Sequence, residues 1–197
     1  MFIQIIQGTC TRHDTLRAVL DRWPEELGPG ADGWLGGTYG FTDDDTFVAV
    51  VRFEDRAAAM ANSARPEQAR WAEQLLALFD GPVEFHDCED VTLLFDGGSD
   101  EAGFVQVIRG QVDDPARLRA LMTSDPTELH RMRPEIVGAT LAIEPDGTFT
   151  ETIAFIDEPS ARAGEQVEPP ADVRAELAYA MQGARFYDLR EPWFASR

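Results

Sequence analysis

Two stretches decide the fold: "FIQIIQG", Phe2–Gly8, and "FVQVIRG", Phe104–Gly110, which lie 102 positions apart. Each is apolar and β-branched, holds a glutamine at its third place, and is too short for a buried helix, so each reads as a strand. Carried outward, the same offset pairs Gln4 with Gln106, Gly8 with Gly110, and the "LRA" at Leu16 with the "LRA" at Leu118. It goes on to pair Pro24 with Pro126, Gly36 with Gly138 and Thr38 with Thr140. "TFVAVVRFED" from Thr46 falls on "TFTETIAFID" from Thr148, and Gly81 falls on Gly183. A register kept without a gap for about 90 residues is the mark of a tandem duplication.

Each copy carries the same elements. After the first strand, Leu16, Val19, Leu20 and Trp23 recur at i, i+3, i+4 and i+7, which predicts an amphipathic helix. In the second copy Asp114 and Pro115 stand where an N-cap and a first helical residue belong. "WLGGTYGF" and the run from Thr46 flank the acidic turn "TDDD", which predicts a hairpin. "DRAAAMANS" and "PEQARWAEQLLALF" predict a split second helix, stopped by Gly81 and Pro82, with a last strand from near Val83. The order β-α-β-β-α-β is the ferredoxin-like arrangement, an α+β fold.

The strands are apolar on both sides: Ile3 and Ile5 alternate with Phe2 and Ile6, and Val48 and Val50 alternate with Phe47 and Val51. A sheet of that kind needs two covers. The expected architecture is therefore two tandem ferredoxin-like (βαββαβ) units packed sheet to sheet, a monomer acting as a pseudo-dimer. Residues 1–95 form the expected first unit, 96–103 a linker within the polar "FDGGSDEAG", and 104–197 the second unit.

Composition narrows the function. The chain of 197 residues has 17 basic and 36 acidic side chains, a net charge of -19, a field that repels phosphate backbones and anionic lipid. Nucleic-acid and membrane partners are not expected, and no apolar run approaches the ~18 residues of a span. With two cysteines and no signal-peptide pattern, a cytoplasmic protein is expected. Three dispersed histidines give no metal-ligand spacing, and neither a phosphate-binding loop nor a nucleophile elbow occurs. No metal or cofactor is expected.

The repeated β-α-β-β-α-β order, the split second helix and the apolar fourth strand resemble the dimeric α+β barrel superfamily, and within it the antibiotic biosynthesis monooxygenase-like group. The resemblance implies that small hydrophobic ligands sit between the sheet and helices of a unit. Members include cofactor-independent oxygenases, haem-degrading oxygenases, isomerases and proteins without known activity, so the fold alone does not fix a reaction. Haem-degrading relatives carry an Asn on the first strand, a Trp after the third and a His ligand on the second helix. Gln4, Asn62 and Ala72 stand near those places in the first half, and Gln106, Gly164 and Arg174 in the second. Lacking the ligand, the chain is not expected to hold haem.

Candidate site residues follow from the strands and from the differences between the halves. Gln4 and Gln106 share a face with apolar neighbours, so each amide needs a partner: a backbone group, its symmetry mate, or a ligand. Trp34, Tyr39, Asn62, Trp71 and His86 face Ile136, Leu141, Gly164, Val173 and Asp188 in the second half. Aromatics with a few polar groups suit a flat organic substrate, with Trp34, Tyr39 and Trp71 as walls and His86 as general base. Glu151 stands between Phe149 and Ile153 on an apolar face; Arg109 could pair with it, unless alternation aims that arginine the other way. Unpaired, Glu151 would have a raised pKa and be a candidate acid or base. Cys10 and Cys88, on neighbouring strands, are expected as reduced thiols. Two functions remain open: a cofactor-independent monooxygenase-like enzyme for a small aromatic molecule, with His86, Asn62 and Gln4 as catalytic group, or a non-catalytic ligand-binding or protein-interaction module.

Overall fold

The computed structural model describes residues 1–95 and 97–197. Its first half runs β1 (Phe2–Thr9), α1 (His13–Glu26), β2 (Trp34–Phe41), β3 (Thr46–Phe53), α2 (Arg56–Ser63), α3 (Pro66–Leu76), β4 (Glu84–Cys88) and β5 (Asp90–Leu94). The second half repeats it: β6 (Phe104–Gln111), α4 (Pro115–Thr123), α5 (Pro126–Met132), β7 (Ile136–Ile143), β8 (Thr148–Phe155), α6 (Glu158–Gly164), α7 (Ala171–Ala180), β9 (Arg185–Leu189) and β10 (Trp193–Ser196). Local chemistry sets several of these bounds. Asp114 caps α4 by accepting from Arg117 N, with Pro115 following it. Asp55 and Asp157, equivalent in the duplication, cap α2 and α6 in the same way.

The strands form two antiparallel five-stranded sheets, ordered β10-β2-β3-β1-β4 and β5-β7-β8-β6-β9. Four strands of each give the ferredoxin-like order. The fifth was not foreseen: β5 joins the sheet of the second unit, and β10 joins that of the first. The compact units are accordingly Met1–Glu89 with Trp193–Arg197, and Asp90–Pro192. They differ from the expected 1–95 and 104–197 by these two edge strands, which follow β4 and β9 in the chain but find their backbone partners on β7 and β2, and the described part of the expected linker, 97–103, belongs to the second unit. Gly36 lets β10 approach: its φ is +146°, and a Cβ there would lie 2.7 Å from Ala195 O. Of the expected linker, Asp96 lies outside the described residues.

The first unit's core gathers Leu16 and Leu20 from α1, Tyr39 and Phe47 from the sheet, Leu75 and Phe79 from the α3 region, and Trp193 from β10. The second unit's core places Leu118, Leu141, Phe149 and Ala180 at the corresponding levels. Cys10 and Cys88 are both free and buried. Standing on or beside neighbouring strands does not bring them together. Cys88 pairs with Ile3 in the register of β1 and β4, seven residues up the chain from Cys10 and so about 23 Å along the strand.

Strand register also corrects the duplication. Gln4 pairs with Asp87, whereas Gln106 pairs with Asp188. In the last strand the offset is therefore 101, one residue having been lost between Gly183 and Arg185. Asp188 is the counterpart of Asp87, and Tyr187 that of His86.

Candidate functional site

In the first unit a cavity of about 80 Å³ lies between the sheet and helices. A single water needs only about 10–15 Å³, so the space suits a small organic molecule or several waters. β1 contributes Gln4 and Ile6 to its floor, and β2 and β3 contribute Trp34, Tyr39, Phe47 and Ala49. Trp23 reaches it from α1, Asn62 and Ser63 from α2, and Gln68, Trp71 and Leu75 from α3. Gln4, Trp34, Tyr39, Asn62 and Trp71, all singled out in the sequence, thus come together. Trp23, Ser63 and Gln68 were missed; Trp23 had been explained as part of a helix stripe, and the other two stand at positions that differ between the halves.

Hydrogen bonding orients the polar lining. Asn62 is buried, and its Oδ1 accepts from Arg65 Nη1 at 3.0 Å. Arg65 Nη1 also donates to Leu27 O at 3.0 Å, which fixes the guanidinium behind the amide. The Asn62 NH2 is left to donate, and the charge behind it polarises the amide in that sense. Gln68 Oε1 accepts from Trp23 Nε1 at 2.8 Å, which leaves the Gln68 NH2 as a donor as well. The Trp71 indole N–H is buried and has no partner among the described residues. Three donors on the helix side therefore have no acceptor among the described residues. Burial pushes the Tyr39 hydroxyl up to about 12, so it stays neutral at any physiological pH.

His86 is not part of this site. It pairs with Ile5, and paired residues project to one face, so its ring shares the side of Ile5 rather than that of Gln4 and Ile6. There its Nε2 lies 3.5 Å from Glu84 Oε2. Gln4 answers the question of its partner differently from either structural alternative: its Nε2 donates to Asp87 Oδ1 at 2.8 Å, across to β4.

The second unit fills the equivalent space with charge. Gln106 Nε2 donates to Asp188 Oδ1 at 2.9 Å, and Asp188 is held in turn by Arg162. Glu151, at the place of Ala49, is 3% exposed and lies opposite Leu141, the counterpart of Tyr39. Arg109 does not pair with it; that guanidinium projects to the other face, donating to Thr150 Oγ1 at 2.6 Å and Glu144 Oε1 at 3.2 Å. Burial pushes the Glu151 carboxyl up from 4.5 to about 7, with the Arg133 charge pulling the other way. Arg133 is bound to the buried Glu135 and lies over the Phe155 ring. Gly164, in the place of Asn62, makes room for this pair, since a Cβ there would collide with Glu135 Oε1 and Arg133 Nε. Gln106 and Glu151 thus share an ionic interior, while Arg109 stands apart from it.

Solved structures share the whole architecture. An assigned monooxygenase of Fusobacterium nucleatum superposes with a TM-score of 0.78 at 11% identity, over 100% of this chain and 94% of its own. One from Lactobacillus acidophilus gives 0.71 at 11% identity, covering 99% of both chains. An anthrone oxidase-like protein gives 0.66 at 9% identity, over 100% of this chain and 94% of its own. The chain has the fold of these monooxygenase-like proteins. It is the tandem ferredoxin-like fold that the antibiotic biosynthesis monooxygenase-like resemblance implied. No family model matches the chain, and no curated protein matches it. Among the described residues no helix is long and apolar enough to cross a membrane, and no cluster of three or more potential metal ligands occurs.

Proposed function

We propose that the first unit binds a small, flat aromatic molecule bearing an oxygen acceptor and oxidises it as a cofactor-independent monooxygenase. The observation that carries this reading is the aromatic cavity whose helix wall presents the donors of Asn62, Gln68 and Trp71, which have no acceptor among the described residues. A phenol or enol oxygen placed against these donors would be stabilised as its anion, because Arg65 stands behind Asn62 and the cavity walls Trp34, Tyr39 and Phe47 are buried. The electron-rich ring carbon of that anion can reduce dioxygen directly. For an anthrone-type methylene the balance is a CH2 and O2 giving a C=O and water: two C–H bonds break, one oxygen atom enters the product and the other leaves as water. Among the described residues no imidazole or carboxylate lines the cavity, so the proton passes to solvent water and the oxyanion is favoured by its donors rather than made by a strong base.

Anthrone, suggested by the name of one neighbour of the same fold, is the first substrate to test. Oxygen uptake above the uncatalysed rate, reduced by Asn62→Ala and by Trp71→Phe, is the expected result. Saturable binding of 1-naphthol or anthrone without any oxygen uptake would replace the enzyme by a ligand-binding module, the second reading, which the lack of a base in the cavity favours. Absence of both binding and turnover would overturn the reading of the cavity itself.

A further inference from the structure

Gln4 reaches the cavity floor through a side-chain amide whose two ends look alike in shape but differ in chemistry. An ionised carboxylate can only accept hydrogen bonds, so the end of the Gln4 amide that meets Asp87 Oδ1 at 2.8 Å must be its NH2. The carbonyl Oε1 is then the end left over, and it accepts no hydrogen bond among the described residues while Gln4 lines the cavity. We infer that Asp87 is a positioning residue for specificity: by holding the Gln4 amide in one orientation it presents an acceptor on the sheet side of the cavity, opposite the donors of Asn62, Gln68 and Trp71. The preferred ligand then carries a hydrogen-bond donor, an O–H or N–H, at the edge that meets the sheet and an acceptor at the edge that meets the helices.

The second unit shows what the pair does when no ligand is to be read. There Gln106 bonds Asp188 in the same register, but Arg162 holds the same carboxylate and stacks over the Phe104 ring, so amide, acid and guanidinium form one closed network. In the first unit Met60 stands in the place of Arg162 and brings no charge. Asp87 is left with the Gln4 amide as its hydrogen-bond partner among the described residues.

This inference rests on the cavity being a ligand site, and the experiment separates the two. Binding of 4-methoxy-1-naphthol and of 1,4-dimethoxynaphthalene to the full chain is measured by calorimetry; both carry an ether acceptor at one edge, and they differ at the opposite edge by the O–H donor. The parent protein is expected to prefer 4-methoxy-1-naphthol by about fivefold, the scale of one neutral hydrogen bond. Asp87→Ala frees the amide to turn, and Gln4→Leu removes it. Each is expected to abolish the preference; Asp87→Ala, which lies outside the cavity lining, is expected to leave the dimethoxynaphthalene affinity unchanged, which also reports that this variant is folded. The double variant should lose nothing more, because Asp87 acts through Gln4. A parent that binds both probes equally, an Asp87→Ala variant that keeps the preference, or one that weakens both probes alike would overturn the inference while leaving the cavity reading intact. A parent that binds neither overturns both.

Discussion

Replacing Glu151 by glutamine removes a titration that burial in the second unit raises to about 7. The folded carboxyl is raised from 4.5 to about 7 by burial. A group raised in this way keeps its proton longer in the folded than in the unfolded chain, so folding gains stability from it at low pH and loses that gain as pH climbs from 4.5 through 7. The rise from 4.5 to about 7 corresponds to about 3 kcal/mol, at about 1.4 kcal/mol for a tenfold change. Hydrogen exchange of the β8 amides, read as the ratio of variant to parent at each pH, isolates the effect. Groups common to both proteins cancel in the ratio. The glutamine brings its own cost, a buried amide beside Arg133, but that cost does not change with pH. Expected is a ratio that moves by roughly two orders of magnitude in favour of the variant between pH 4.5 and pH 8. Two parallel profiles would refute the reasoning. They would mean that Glu151 is solvated or fully compensated by Arg133 in the folded protein.

Other outcomes follow from the first unit. His86→Ala should leave the affinity for 1-naphthol within about twofold, since the ring shares the face of Ile5; a tenfold loss by calorimetry would place the imidazole in the site. Asn62→Ala removes a donor and strips Arg65 of an acceptor, so 1-naphthol binding should weaken about tenfold in the same assay. Trp193→Ala empties a buried place beside Tyr39 and Phe47. It should cost the first unit about 3–5 kcal/mol in urea unfolding, and an unchanged midpoint would show that β10 does not belong to its core.

What was legible in the sequence was whatever repeats or alternates. The Gln of β1 and β6, the Leu16 stripe, the Asp114-Pro115 cap and the acidic hairpin turn each follow from local chemistry that one chain displays on its own. The edge strands β5 and β10 were hidden for the opposite reason. "DVTLL" and "WFAS" are short, and their partners lie about 50 and about 150 residues away in the chain, so no local pattern says which sheet takes them. The cavity was half legible. Trp34, Tyr39, Asn62 and Trp71 stood out because the second copy lacks them, but the hydrogen bonds that turn Asn62 and Gln68 into donors depend on Arg65 and Trp23, which only the fold brings near.

The misplaced histidine shows how a single residue of register changes a functional argument. β4 is an edge strand with polar or charged residues on both sides, so its own alternation does not say which face is which; only its pairing with β1 does. A gapless offset of 102 set His86 against Asp188 and hid the more telling match. With the lost residue allowed for, "FHDC" falls on "FYDL", and Asp87 meets Asp188 as Gln4 meets Gln106. The Gln–Asp pair is then the feature that both copies keep, and what surrounds it is what they changed. Ala49 became Glu151, Tyr39 became Leu141 and Asn62 became Gly164, all on the side of the sheet that faces the helices. Those exchanges act together. Without the side chain of Asn62, Arg133 and Glu135 can enter, and with Arg133 present a carboxylate at the place of Ala49 has a cation within reach. One backbone thus holds an aromatic cavity in its first copy and a buried ionic cluster in its second, which is why a search for ligand chemistry in this chain belongs in the first.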